Sequence, residues 1–525
     1  MNRRDVPSRV SLRRPRHRAG VDTMGISRRD LFKGALVAAV TQSKAAPARG
    51  YLKPVQAHLE KIITQGTDVY GPVKTPMWMA SLDTKTGRYP DQPYAAIGQR
   101  VYREIASPKG SSLYWDQPQL VAAYAMTGLT GDPRFKQAVD AYVKSFLERG
   151  IDENGLFQWG NHRYYDAYTD KFVGFAGGPH EIRPLTPAWE IFWRLAPEAT
   201  EREIRVAGKR HLFDATIGAF NRHDDGKKGD AFLEAGGVLV ESLCWLSKKR
   251  DDRRLIEDAL RIAHFSYAFR DAKTGLLENQ PTQVRWDKYV STTEVGLWAG
   301  DLLRAADLSG TPEFSQMADA AMTAFLKYGY DAEAREYYGQ IKVIDGQPPV
   351  IKPPDNKDGK LDGNYRHKAD GSVAPDGDYP AHYTNIWNAQ FPSHDYPMAF
   401  AETCVELYRR TKAPQYREAV DRWAGVVKRH PAPTTARDGK GAYAEMFGRA
   451  IQFLTDAGQT LNNSQYTAQA RKLADAAIDT LFAYGMFRSH ASEDRYDSVD
   501  GVGYLLLALI YLETGKKPDY LGFGL

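Results

Sequence analysis

Val121-Ala-Ala-Tyr-Ala-Met-Thr-Gly-Leu129 runs into Thr130-Gly-Asp-Pro133, continues as a mixed apolar and charged stretch to Leu147, and closes on Asp152-Glu-Asn-Gly-Leu-Phe157. This order predicts a buried helix, a tight turn with Pro opening the next helix, and a second amphipathic helix ended by a Gly-containing loop. The same order recurs at intervals of roughly fifty residues. Gly236–Glu278 turns at Lys248–Arg254 and ends at Asp271-Ala-Lys-Thr-Gly-Leu-Leu277. Thr293–Tyr330 turns at Ser309-Gly-Thr-Pro312, Met398–His430 at Thr411-Lys-Ala-Pro414, and Ala444–Phe487 supplies a fifth copy. In the second helices apolar residues fall at i, i+4, i+7 and i+8, as Leu255, Ala259, Ile262 and Ala263 do, which is the helical period.

One such hairpin cannot bury its apolar face alone, so its neighbours must stack. His58–Tyr70 and Trp189–Phe220 raise the count to six or seven pairs. The last helix, Val502–Leu512, is too apolar to end an open solenoid uncovered. The fold expected is therefore all-α, a closed (α/α)6 or (α/α)7 toroid occupying residues 49–525 as one catalytic domain. Two stretches break the pattern, 158–187 and 341–397, rich in Gly, Pro and aromatic or acidic residues. Long irregular segments on a rigid frame usually form a working rim.

Residues 1–48 read as an extension and an address. Ser27-Arg-Arg-Asp-Leu-Phe-Lys33 followed by Gly34-Ala-Leu-Val-Ala-Ala-Val40 resembles a bacterial twin-arginine export signal, with Ala45-Ala-Pro-Ala48 offering small residues for cleavage. The apolar run is too short to anchor the chain in a membrane. The resemblance implies the twin-arginine export machinery as a partner and a periplasmic or secreted destination. The first 33 residues hold ten Lys and Arg against three Asp, a net of +7, so the rest of a chain of net charge +5 is about −2. A basic surface for nucleic acid is not supported. The only two cysteines, Cys244 and Cys404, lie in apolar helical stretches and read as buried thiols, although a single disulfide would be compatible with the count. No phosphate loop, Rossmann fingerprint, serine-hydrolase elbow or Cys-x-x-Cys occurs.

The densest polar constellation is Trp159-Gly-Asn-His162-Arg163-Tyr-Tyr-Asp166 with His180-Glu181-Ile-Arg183. His and Glu suit a divalent cation, which nominates His162, His180 and Glu181, while Arg pairs with a carboxylate in a fork. A loop tied together by hydrogen bonds is the structural alternative. Arg285 and Lys288, beside Trp286 and Tyr289, make a candidate subsite for an anionic sugar by stacking and ion pairing. His382 and Trp387 suit hydroxyl recognition. Arg488 and Arg495 precede the last buried helix, and Trp115 opens the first clear copy next to Asp116. Each of these also has a packing or capping reading.

With Phe157-Gln-Trp-Gly-Asn-His162, His180-Glu-Ile-Arg-Pro184, Phe487-Arg-Ser-His490 and Tyr496-Asp-Ser-Val-Asp-Gly-Val-Gly503 in view, the chain resembles the helical-toroid carbohydrate-active enzymes. Among them it is most similar to the periplasmic pectate lyases of polysaccharide lyase family 2, as a general pattern over residues 100–515. That resemblance implies an acidic polysaccharide or oligosaccharide substrate, a divalent cation (Mn or Ca) held by His and Glu, and an Arg that takes the proton. His162, His180, Glu181 and Arg183 are the residues carried over, with His180 and Arg285 as further catalytic candidates and Trp159 and Arg163 as substrate contacts. β-Elimination removes the proton alpha to a uronate carboxylate, so that charge must be neutralised and a base must reach the proton. A glycoside hydrolase or epimerase on the same barrel, and a non-catalytic glycan-binding protein, are the alternatives. A hydrolase would need two carboxylates about 5–10 Å apart.

Overall fold

A computed structural model describes residues 50–90, 108–160, 163–174, 180–281, 288–348, 366–367, 373–374, 383–384, 386–387, 397–433 and 442–518. The twin-arginine stretch lies outside the described residues.

The helices are α1 (Leu52–Gln65), α2 (Leu113–Thr130), α3 (Pro133–Arg149), α4 (Trp189–Leu195), α5 (Pro197–Arg210), α6 (Leu233–Arg250) and α7 (Arg254–Ala268). They continue with α8 (Thr292–Ser309), α9 (Pro312–Tyr328), α10 (Pro397–Thr411), α11 (Pro414–Arg429), α12 (Ala444–Thr460), α13 (Ser464–Leu481) and α14 (Val502–Thr514). The helix starts follow local chemistry. Pro133, Pro197, Pro312 and Pro414 each open an outer helix, where a missing N–H costs nothing. Asp132 caps α3 by accepting from the Arg134 N–H at 2.9 Å.

Even-numbered helices form an inner ring. α6 packs on α8, α8 on α10, α10 on α12, α12 on α14, and α14 on α2. The short α4 bridges the remaining interval: the Ala188 N–H before it donates to Gln117 Oε1 of α2 at 2.7 Å, and Trp189 Nε1 donates to Ser242 Oγ of α6 at 3.0 Å. Odd-numbered helices pack outside them. The expected toroid is thus present, with seven hairpins. The seventh joins distant ends of the described chain. His58–Tyr70 does not supply a hairpin of its own; α1 is one helix, laid beside α14. Two glycines allow the close crossings: a Cβ on Gly448 would fall 2.6 Å from the Leu505 nitrogen, and one on Gly503 2.6 Å from the Gln119 nitrogen. The very apolar α14 is buried from Val502 to Leu512.

Connections from inner to outer helices take one to three residues, whereas those from outer to inner take 14 to 68. Alternation of direction therefore brings the described starts and ends of the long connections to one end of the ring. The sequence reading gave no strands, yet short antiparallel ladders stitch neighbouring connections together: 81–83 with 495–497, 110–111 with 165–166, 289–291 with 340–342, and Tyr443 with His490.

The middle of the ring carries charge. Arg304 of α8 donates to Glu241 of α6 at 2.9 Å and to Asp301. Arg449 of α12, fully buried, donates to Glu445 at 2.9 Å and lies over the Tyr504 ring. Glu402 of α10 is buried among them with neither carboxyl oxygen hydrogen-bonded, and burial pushes its pKa up to about 8. Cys244 and Cys404 are both buried and free.

Candidate active site

Residues 180–183 leave their loop as a short extended stretch, so successive side chains point to opposite sides. Glu181 pairs with His223 in an isolated antiparallel bridge, and the Ile182 N–H donates to the Arg222 carbonyl at 2.8 Å. Two connections, one before α4 and one before α6, are thereby locked side by side. Directly paired residues share a face, which puts Glu181, Arg183 and His223 on one side and His180 on the other.

The shared face is a compact ionic cluster. Arg222 Nε lies 3.5 Å from Glu181 Oε1 and donates to His223 Nε2 at 3.2 Å. Arg183 Nη1 sits 3.8 Å from the same Glu181 oxygen. Asp230 Oδ2 approaches His223 Nε2 at 3.6 Å, and Gln280 Nε2 donates to Asp230 Oδ1 at 2.6 Å. The Arg222 guanidinium covers the Phe232 ring at 4.9 Å. Because Arg222 donates to it, His223 Nε2 presents a lone pair and Nδ1 carries the proton; that Nδ1 is buried without a hydrogen-bond partner. Glu181 and the His223 imidazole share a face and become a donor pair for a divalent cation when the ring takes its other tautomer, with the proton on Nε2 toward Asp230 and the lone pair on the buried Nδ1. No group of three His, Cys, Asp or Glu arranged for a metal occurs among the described residues.

His180 turns the other way. Its Nδ1 lies 2.7 Å from His211 Nε2, and His211 Nδ1 donates to the Asn221 carbonyl at 2.9 Å. The carbonyl can only accept, so the proton on His211 Nδ1 makes its Nε2 an acceptor for His180. His180 Nε2 lies 2.6 Å from Glu203 Oε1, whose other oxygen accepts from the Phe157 N–H at 2.6 Å. Burial lowers the proton affinity of His180, but the Glu203 carboxylate more than reverses this and holds its pKa above the usual imidazole value. For His211, burial and then the charge of His180 push it well below. Both His180 nitrogens are thus given to protein partners. The assignment of His180 to a metal shell or to proton abstraction is corrected: it braces the two connections from beneath. Replacing Glu203 with alanine should cost about 3 kcal/mol, since a buried imidazolium and an amide lose their acceptor together. Denaturant unfolding measures this, and an unchanged midpoint would refute it.

Several other expected contacts are also packing residues, because their polar atoms face the core. Trp159 is buried against Phe157, Trp189 and Phe192, with Nε1 3.0 Å from His180 Nε2. Trp115 is buried edge-on to Tyr114. Trp387 is buried, its Nε1 donating to the His430 carbonyl at 2.6 Å. Arg495 is fully buried between Glu493 at 3.2 Å and Asp497 at 3.5 Å. Arg488, half-buried, pairs with Asp494 at 3.3 Å and donates to the Thr480 carbonyl at 2.5 Å. Lys288 is exposed, and Arg163 is half-buried, donating to Gln158 Oε1 at 3.0 Å. His162, Arg285 and His382 lie outside the described residues. Arg222 and His223 escaped the sequence reading. Their stretch, Asn221-Arg-His-Asp-Asp-Gly-Lys-Lys-Gly-Asp230, has the composition of a solvated connector, and only its pairing with 181–182 reveals them.

The family model described as periplasmic pectate lyase matches residues 111–235. A pectate disaccharide-lyase of Dickeya dadantii (strain 3937) is 27% identical over 206 residues, covering 37% of this chain and 35% of the relative. The alignment thus spans about a third of the curated relative's length. Among solved structures, an inactive variant of the α-1,6-mannanase GH76A of Salegentibacter sp. HEL1_6 superposes with a TM-score of 0.45 at 10% identity, covering 89% of this chain and 100% of that one. The unsaturated glucuronyl hydrolase of Bacillus sp. GL1 gives 0.44 at 15% identity, covering 76% and 97%. The chain resembles helical-toroid carbohydrate-active enzymes, and its likeness to pectate lyases falls on the segment that carries the Glu181–Arg222–His223 cluster.

Proposed function

We propose that the protein is a lyase that cleaves a uronic-acid polysaccharide, pectate or a close relative, by β-elimination at the cluster of Glu181, Arg183, Arg222 and His223. The observation that carries the reading is the pairing of Glu181 with His223 across Arg222, inside the segment matched by the pectate lyase family. Arg183 would bind the uronate carboxylate by charge-assisted hydrogen bonds. Neutralising that carboxylate makes the adjacent C–H acidic enough to lose its proton.

In this reading Glu181 and His223 would hold a divalent cation, with His162 as a further candidate ligand. Such a cation would supply positive charge that shares the uronate carboxylate. Arg222, between Glu181 and His223, would take that proton in its neutral guanidine form while the C–O bond beta to the carboxylate breaks and the carbon–carbon double bond forms. Glu181 and Asp230 hold the two basic side chains in place, and Phe232 shields one face of the guanidinium from water. The twin-arginine stretch leads us to propose export by that route to the periplasm or beyond.

Purified protein incubated with polygalacturonate should produce the ultraviolet absorbance of an unsaturated uronide, and a chelator should reduce it. Release of reducing ends without that chromophore would favour a hydrolase. No product from any uronide would refute the lyase assignment.

A further inference from the structure

Arg163–Asp166 and Lys171–Gly174 form an antiparallel hairpin whose first strand also pairs with Gly110–Ser111. At the start of that strand, Arg163 lies within electrostatic reach of Asp224, the neighbour of His223. Its underside is anchored: Tyr165 packs on Phe172 at 5.5 Å, and Phe172 on Phe146 of α3 at 5.4 Å. The opposite face, with Tyr164, Asp166 and Lys171, is at least partly open.

At the tip stands Tyr168, 43% exposed. Its ring is held rather than loose. Asp166 Oδ1 accepts from the Tyr168 and Thr169 N–H groups at 2.8 and 3.1 Å, and Asp170 Oδ2 accepts from the Val73 N–H at 3.1 Å. The Tyr70 ring lies 4.9 Å from it with a 30° tilt, and Tyr89 meets it edge-on at 6.0 Å. Val69 and Val73, 45% and 42% exposed, extend the apolar surface. Lys74, Lys109 and Lys171 are all exposed: the Lys74 ammonium donates to the Tyr70 carbonyl at 2.5 Å, the Lys109 carbonyl accepts from the Ala167 N–H at 3.0 Å, and Lys171 pairs with Asp166 across the hairpin, whereas the carboxylates of Asp166 and Asp170 accept from backbone and tyrosine donors. A fixed, exposed aromatic ring with apolar shoulders and lysines on the adjoining segments is costly to leave in water without a use.

We propose that this surface is an outlying subsite for the polyuronate chain, with a pyranose ring stacked on Tyr168 and its carboxylate met by Lys171. The proposal rests on the polyuronate reading of the substrate. Two features select a sugar acid. The C–H face of a pyranose complements the negative face of an aromatic ring, and the lysines complement the charge of successive uronates. From Arg163 to Asp166 the strand spans about 10 Å, and Tyr168 stands in the turn beyond it. A disaccharide seated at the cluster would not reach the ring, but a longer chain would.

Binding distinguishes this idea from the lyase assignment. Polygalacturonate and digalacturonate are titrated calorimetrically into the full-length protein and into Tyr168→Ala, Tyr168→Phe and Lys171→Ala variants, after matching thermal melts show that all are folded. Tyr168→Ala should weaken polymer binding by about tenfold while digalacturonate binding stays unchanged. Lys171→Ala should weaken polymer binding several-fold and in a salt-dependent way, and Tyr168→Phe should bind as wild type. Polymer binding unaffected by Tyr168→Ala overturns the subsite, as does a wild-type protein that binds no polyuronate. A protein that binds the polymer through Tyr168 yet forms no unsaturated product upholds the subsite and sinks only the lyase assignment.

Discussion

Arg222→Ala should lower kcat on polygalacturonate by about a thousandfold, the scale seen when a group that meets developing charge is removed. The expectation comes from geometry: the guanidinium meets both Glu181 and His223 and keeps 15% of its side chain exposed. For the same reason the variant should remain folded, with a melting temperature near that of the wild type. Arg222→Lys keeps the charge but loses the planar fork, and should recover only a small part of the rate. His223→Ala should instead weaken the dependence on added divalent cation, separating the ligand role from the proton-accepting role. Turnover by Arg222→Ala within tenfold of wild type would remove Arg222 from the chemistry.

The second large effect concerns stability. Glu402 is buried in the ring without a hydrogen-bond partner and keeps its proton up to about pH 8, against 4.5 for an ordinary glutamate. Between those values the folded protein binds a proton that the unfolded chain has released, so stability falls as pH rises through the window. The loss from this one group between pH 5 and pH 8 is about 3 kcal/mol. Glu402→Gln, neutral at every pH, should flatten that slope and leave the protein more stable than wild type at pH 8. Denaturant unfolding of both proteins at pH 5 and pH 8 measures it. A slope unchanged in Glu402→Gln would mean that Glu402 is not the group responsible.

Much of the fold was legible because helical hairpins are local. The Gly-Asp-Pro turn before α3, the Pro at the head of α9 and α11, and the spacing of Leu255, Ala259 and Ile262 all act within one or two turns of chain. That the long connections start and finish at one end of the ring followed from alternation alone. The site was legible only in part. His180, Glu181 and Arg183 read as one cluster in the sequence, yet His180 faces away from the other two, because composition does not report the period-two alternation of a two-residue bridge. Arg222 and His223 sit about forty residues away along the chain, and that partnership arises from a non-local backbone pairing that no local signal encodes. Trp115 and Trp159 illustrate the same limit: an aromatic beside a polar loop reads alike whether it faces a sugar or the core.

The pairing of α1 with α14 has a bearing on how the protein is made. The Tyr51 N–H reaches Glu513 at 3.5 Å across 462 positions of sequence, so the cover of α1, begun by Gln119 of α2, is completed only when Phe487 and α14 have left the ribosome. Until then one side of α1 stays uncovered, and the growing arc of hairpins presents two open edges. Such long-range closure is slow and prone to sticking to other chains. The nascent protein therefore has good reason to recruit a chaperone that shields α1 until the circle shuts, and its last helix acts as the clasp.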